Sequence, residues 1–250
     1  MNVVVPMAGR GSRLSGIEPQ KPKPLIDIDG RPMVAWALES LSGIKYRKII
    51  FVILADHESK FGVRHMLRNL VSAELEVVLL DNVTEGQLCT VLTARQHIDM
   101  DLPLLVASSD TFVLSNIAED IEHRHPDCRG IISVANAPGE QWSFARTDAT
   151  GRVVEVAEKR RISDHASTGL YYFQSGKEFV SIADGLVGSG EKTGGEYYVM
   201  PVFQKYVSLG KRVDVSHASV LKDMGSPEAL RDFENWIALN RPSQAVDSVV

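Results

Sequence analysis

The chain has 250 residues and a formal net charge of −5, so a global pull toward nucleic acid or an anionic membrane is excluded. Apolar residues make up 44% and charged residues 24%, which gives a sizeable core and excludes a disordered or fibrous chain. Its two cysteines, Cys89 and Cys128, lie far apart without histidine pairs beside them, so neither a disulfide framework nor a zinc spacing follows.

The N-terminus lacks the basic flank of a secretory signal, and no run approaches the roughly 20 apolar residues of a membrane span. The expectation is a cytoplasmic protein with idle thiols. Short apolar runs, "NVVVPM" (2–7), "KIIFVIL" (48–54), "LEVVLL" (75–80) and "LPLLVAS" (102–108), read as buried strands. Helical spacing fills 33–42 and 87–98. This alternation predicts a largely parallel sheet with helices on both faces. Beyond residue 128 the rhythm changes: "GIISVANA" is a strand, "WSFARTDATGRVVEVAEK" a hairpin about "DATG", and "STGLYYF" (167–173) another strand. Helices are expected at 176–187 and 196–209, then a strand at 211–216. A helix at 226–240 starts with Ser226 as N-cap and Pro227 in the first turn. Residues 1–240 read as one domain and 241–250 as a loose tail.

The stretch "PMAGRGSRLSGIEPQKPKPLIDIDGRPM" (6–33) follows the first strand. Glycines let a backbone approach a ligand closely, and Arg10, Arg13, Lys21 and Lys23 in the same loop point to an anionic one. A solvated glycine-rich turn is the bland alternative. The P-loop spacing is absent, and the third glycine of a dinucleotide fingerprint is Leu14 here. The compound string A-G-R-G-S-R-L, then P-K-P-L, then G-R-P-M resembles the signature of the sugar-1-phosphate nucleotidyltransferases, the nucleotide-sugar pyrophosphorylases.

That resemblance implies a Rossmann-like α/β fold of the glycosyltransferase-A type, with a mixed, mostly parallel central sheet flanked by helices and a hairpin-containing acceptor portion. It implies that Ala8, Gly9, Gly11 and Ser12 wrap a nucleotide, that Arg13 holds the leaving pyrophosphate, and that Lys23 contacts the phosphate under attack. Asp110, in "LLVASSDTFV", and Asp223, in D-M-G-S-P-E-A-L, match the family's magnesium-binding aspartates, with Ser109 on the nucleotide side. A turn or cap aspartate is the bland reading of Asp110. In "VTEGQLCTVLTA", Thr84, Gln87 and Thr90 fall where the family reads the base, although Cys89 replaces a common glycine. "EVAEKRRISDHASTGLYYF" resembles the acceptor segment, which implies acceptor-binding roles for Glu158, Lys159, Thr168 and Gly169, with Arg160 and Arg161 as helpers or solvated neighbours. "GGEYYVMPVF" resembles a sugar-touching segment through Glu196 and Tyr197, with Tyr198 in the core and Met200-Pro201 in place of polar residues. Trp36 and Trp236 read as core, and Trp142 as a neighbour of the acceptor pocket.

The implied reaction takes an NTP and a phosphorylated small molecule, needs Mg²⁺, and releases pyrophosphate by direct in-line displacement. A sugar 1-phosphate is the first acceptor class, with products bound for surface polysaccharide. The alternatives are cytidylyl transfer to a phosphocholine-like phosphate or phosphonate, and a silent nucleotide-binding regulatory subunit. Neither nucleic acid nor membrane is an expected partner, and a homo-oligomer stays open. The seven histidines carry no assigned chemistry; His123 and His125 read as projecting to different sides of a helix.

Overall fold

The computed structural model describes residues 1–9, 11–14, 16–17 and 21–240. Arg10 and the expected tail at 241–250 lie outside them. The first half builds β1 (Asn2–Pro6), a small hairpin of β2 (Asp27–Ile28) and β3 (Arg31–Pro32), α1 (Met33–Glu39), β4 (Lys48–Leu54), α2 (Ala55–Phe61), α3 (Val63–Leu70) and β5 (Glu74–Leu80). Then come α4 (Gln87–Leu92), α5 (Arg95–Ile98), β6 (Leu104–Ala107), β7 (Thr111–Ser115) and α6 (Ile117–Glu122). The second half adds β8 (Cys128–Ala135), β9 (Ser143–Thr147), β10 (Val153–Glu158), β11 (Ala166–Phe173), α7 (Gly176–Ser189), α8 (Met200–Ser208), β12 (Arg212–Asp223) and α9 (Pro227–Asn240).

The main sheet runs β5-β4-β1-β6-β11-β8-β12-β7, with the β9–β10 hairpin attached through β11. Strands β5, β4, β1 and β6 run parallel to one another, whereas β11 runs antiparallel to both β6 and β8. The second half therefore extends the first half's sheet. Strand periodicity decides the layering. Val4, Ile50 and Val52 enter one core with α4, α7 and α8, while Val3, Val5, Ile49 and Phe51 enter the opposite one with α1, α3 and α6.

Four expectations needed correction. The 87–98 helix breaks at Thr93, whose hydroxyl donates to the Thr90 carbonyl at 2.6 Å and competes with the helical ladder. The 196–209 helix begins only at Met200, because Thr193 and Glu196 exchange both backbone hydrogen bonds across Gly194 and Gly195, which have φ of +55° and +85°. The 211–216 strand continues to Asp223 by leaving β8 and pairing with β7, a half-exposed stretch without a clear apolar run. Helix α6 ends at Glu122, so His123 and His125 are past it.

A third apolar cluster lies beneath one end of the sheet. It collects Leu14, Ile26, Ile28, Met33, Trp36, Phe112, Met224, Leu230, Phe233 and Ile237, with Trp236 packed against it. Phe233 meets Trp36 edge-on at 5.3 Å and Phe112 at 5.4 Å between ring centroids. Phe233→Ala is expected to cost about 3–5 kcal/mol in urea unfolding, with Leu239→Ala on the same helix, at 85% exposure, as the neutral control. Equal midpoint shifts for the two variants would refute this packing account.

Candidate active site

Parallel pairing sets the carboxyl ends of β1 and β6 side by side, the position where open α/β sheets bind ligands. The glycine loop leaves β1, and Ser108 to Asp110 leave β6. Strand β12 arrives from the far side: Asp223 pairs with Thr111, and the Met224 amide donates to the Asp110 carbonyl at 2.9 Å. Backbone register thus holds Asp110 and Asp223 together.

Lys23 closes the group. Its Nζ lies 2.5 Å from Asp110 Oδ2, and a Cβ on Gly225 would stand 3.4 Å from that nitrogen. The Gly225 amide donates to Asp223 Oδ1 at 2.8 Å. Burial pushes the Asp223 carboxyl up and the Asp110 charge adds to this, while the Gly225 amide, Lys23 and Arg13 act in the opposite sense. Arg13, Lys23, Asp110 and Asp223 therefore belong to one electrostatic site. Gly11 is required there: its φ is +61°, and a Cβ would lie 2.7 Å from that of Lys23. A Cβ on Gly9 would meet nothing within 4 Å, which leaves its backbone open to a close ligand. Ser12 and Arg13 are exposed, in a short 3-10 turn. The Ala8 methyl packs into the core and leaves only its backbone for a ligand. Ser109 is nearly buried, and its hydroxyl donates to the Pro6 carbonyl at 3.4 Å.

The turn before α4 is braced from within. The Thr84 and Thr90 hydroxyls lie 2.6 Å apart, and both reach the Gly86 carbonyl. These hydroxyls, expected at a base edge, instead hold the turn. Among the described residues the Gln87 side chain has no protein partner, so its amide is open to a ligand. The turn docks on the next segment, with Tyr197 N donating to Glu85 O at 2.9 Å and Leu88 N to Tyr197 O at 3.0 Å. Gly86, at φ +132°, fits only without a side chain, since a Cβ would lie 2.5 Å from the Tyr197 carbonyl oxygen.

A second polar group faces this region. Lys159 Nζ donates to Tyr198 Oη, and Tyr198 Oη donates to Glu196 Oε2 at 2.6 Å. Burial and then Glu196 push the Tyr198 phenol well up, while Arg13 pulls the other way, which places this group within electrostatic reach of the first. Lys159 has a φ of +51°, a strained conformation that fixes its direction, and its amide donates to the Trp142 carbonyl at 3.0 Å. Ser143 Oγ donates to Glu158 Oε2 at 2.5 Å. Burial pushes the Glu158 carboxyl up, against the pull of Ser143 and Lys159. Gly169, at φ +88°, lies against Ser108, and the Thr168 carbonyl accepts from Thr111 Oγ1 at 3.0 Å. The Thr168 hydroxyl is buried and has no hydrogen-bond partner among the described residues.

The tyrosine roles are exchanged relative to expectation: Tyr197 is core at 6% exposure, and Tyr198 presents its hydroxyl to the polar group. Adjacent residues of an extended segment face opposite sides, and the sequence held no signal for which tyrosine would be buried. Arg160 pairs with Glu155, and Arg161 with Asp164 and the Ala137 carbonyl, so neither guanidinium joins the group. Ser143 was missed because a lone serine at a strand start carries no signature. His165 and His217, distant in sequence, stack edge-on at 5.2 Å.

The pattern of the nucleotidyl transferase family matches residues 3–238. The chain belongs to the nucleotidyl transferase family. It is similar to the UTP–glucose-1-phosphate uridylyltransferase AglF of Haloferax volcanii, at 22% identity over 91% of this chain and 93% of that protein. It is 28% identical to a CMP-5'-(3-aminopropyl)phosphonate synthase of Streptomyces rubellomurinus, over 64% of this chain and a 25% share of that one. Among solved structures, a nucleoside-diphosphate-sugar pyrophosphorylase from Vibrio cholerae RC9 superposes with a TM-score of 0.79 at 25% identity, over 93% of this chain and 99% of the other.

In this nucleotidyltransferase the donor set suits a hard cation. Asp110 and Asp223 offer oxygen, and the described residues contain no group of three or more His, Cys, Asp and Glu that could hold a metal ion. A small divalent ion held by two carboxylates, with substrate phosphates and water completing its shell, is the arrangement Mg²⁺ prefers. Among the described residues no helix is long and apolar enough to cross a membrane.

The raised Asp223 carboxyl has a consequence for stability. A carboxyl whose folded pKa exceeds its unfolded value costs nothing while both states are protonated, and destabilises the fold once pH rises through the two values. Asp223→Asn keeps the oxygen that accepts from Gly225 and removes the charge. Without divalent ions it is expected to melt above the wild type at pH 7.5, with the gap closing toward roughly pH 3. A variant that melts below the wild type at pH 7.5 would show that Lys23 and Arg13 more than offset the clash.

Proposed function

We propose that this nucleotidyltransferase moves a nucleoside monophosphate from an NTP to the phosphate of a sugar 1-phosphate, with Mg²⁺, and releases pyrophosphate. The observation that carries this reading is the single cluster of Arg13, Lys23, Asp110 and Asp223 beside the glycine loop, with a third cation, Lys159, facing it. Two phosphate compounds repel one another, and fixed cations offset that repulsion at defined points. The acceptor oxygen bonds to the α-phosphorus as the bond to the bridging oxygen breaks and pyrophosphate leaves with its charge. A phosphate dianion near pH 7 is already nucleophilic, so no general base is required. Lys23 stabilises the α-phosphate oxygens, Arg13 the departing pyrophosphate, and Lys159 the acceptor phosphate. These contacts strengthen as charge develops, which is what accelerates the step. Bound magnesium supplies further charge neutralisation between the phosphates. The glycine-loop backbone and the Gln87 amide are assigned to the nucleotide.

A second reading within the same chemistry is cytidylyl transfer to an aminoalkyl phosphonate or phosphate. It is favoured by Glu158, a carboxylate with one hydroxyl partner among the described residues, which suits an ammonium. A matrix of the four common NTPs against sugar 1-phosphates and aminoalkyl phosphonates, read by pyrophosphate release, separates the two. The first reading expects turnover with a sugar 1-phosphate that chelator abolishes. Lys23→Ala and Arg13→Ala should each lose roughly 10²–10³ in kcat while remaining folded. Release that survives chelator, or full activity in the folded Lys23 variant, would contradict the assignment.

A further inference from the structure

The structure assigns Ser143 as a positioning residue that aims Glu158 at the non-phosphate end of the acceptor. This rests on the acceptor role proposed for Glu158. The observation is a hydrogen bond across the hairpin: Ser143 Oγ donates to Glu158 Oε2 at 2.5 Å.

Two strands share the work: β9 begins with Ser143, and β10 ends with Glu158. Register sets Ser143 opposite Glu158 in the hairpin. Among the described residues Glu158 Oε1 has no hydrogen-bond partner. A carboxylate with one oxygen locked and one open accepts a single hydrogen bond from a ligand in a defined direction. The donor it selects is a hydroxyl of a sugar phosphate or the ammonium of an aminoalkyl phosphonate.

The groups that face Glu158 are Lys159 on its own strand, Glu196 and Tyr198 before α8, and Tyr171 on β11. Among the described residues Ser143 is the one donor hydrogen-bonded to the Glu158 carboxylate, and Ser143→Ala deletes it. The variant is measured in the full chain, beside Ser143→Thr, with the acceptor and NTP that the matrix selects. For Ser143→Ala we expect an acceptor KM raised about tenfold, as suits a charge-assisted hydrogen bond, with the NTP KM within about twofold. Ser143→Thr should restore the wild-type value. In the free protein labelled with ¹³C at its glutamate carboxyls, and assigned with Glu158→Gln, the Glu158 titration should move up in Ser143→Ala and return in Ser143→Thr. An unmoved Glu158 titration, a parallel rise of both KM values, or a threonine variant that behaves like alanine each overturns the assignment. Absence of transfer by the wild type overturns the proposed function and this inference with it. Wild-type transfer with an unmoved acceptor KM in Ser143→Ala overturns the inference alone.

Discussion

Two carboxylates that repel each other are held together by backbone pairing. Asp110 and Asp223 are 113 positions apart in the numbering, yet the β7–β12 register and the Met224 amide fix them as neighbours. Left alone, this would be a site that protonates or unfolds. Lys23 at 2.5 Å from Asp110 and Arg13 within reach of Asp223 offset part of the repulsion, and the remainder makes the site receptive to a further cation. The glycine loop exists in this form because Gly11 must let Lys23 approach.

Apolar packing secures this charged arrangement. Leu14 follows Arg13, Phe112 lies two residues beyond Asp110, and Met224 follows Asp223; all three enter the same cluster with Trp36 and Phe233. Three distant segments are thus anchored one or two residues from the charges they carry, an interior rigid enough to hold charge geometry. The region proposed for the acceptor is built differently, from hydrogen bonds across β9, β10 and β11 and from the docking of the Gly86 turn on Tyr197.

The sequence revealed much of this, for identifiable reasons. The parallel half was legible because Val, Ile and Leu runs alternate with amphipathic stretches. Compound motifs marked Lys23, Asp110 and Asp223 because each combines a turn-forming context with a charged residue. The second half of β12 was not legible, since its residues are half-exposed on a sheet edge and lack a two-residue apolar period. Thr84 and Thr90 looked available from their positions, but short hydroxyl side chains satisfy the nearest carbonyl, and here that was Gly86. Tyr198 and Ser143 were beyond reach for a common reason. Their roles depend on partners 39 and 15 residues away that only strand register brings into contact.

The central proposal is that Asp110 and Asp223 together hold one divalent ion when a nucleotide is bound. Electron paramagnetic resonance of Mn²⁺, titrated into the protein with an α,β-methylene NTP analogue, tests it directly. The account predicts one tight site in the wild type, weakened by more than about tenfold in both Asp110→Asn and Asp223→Asn, a loss that even outer-sphere partners of a metal site can produce. Unchanged affinity in either variant would contradict it.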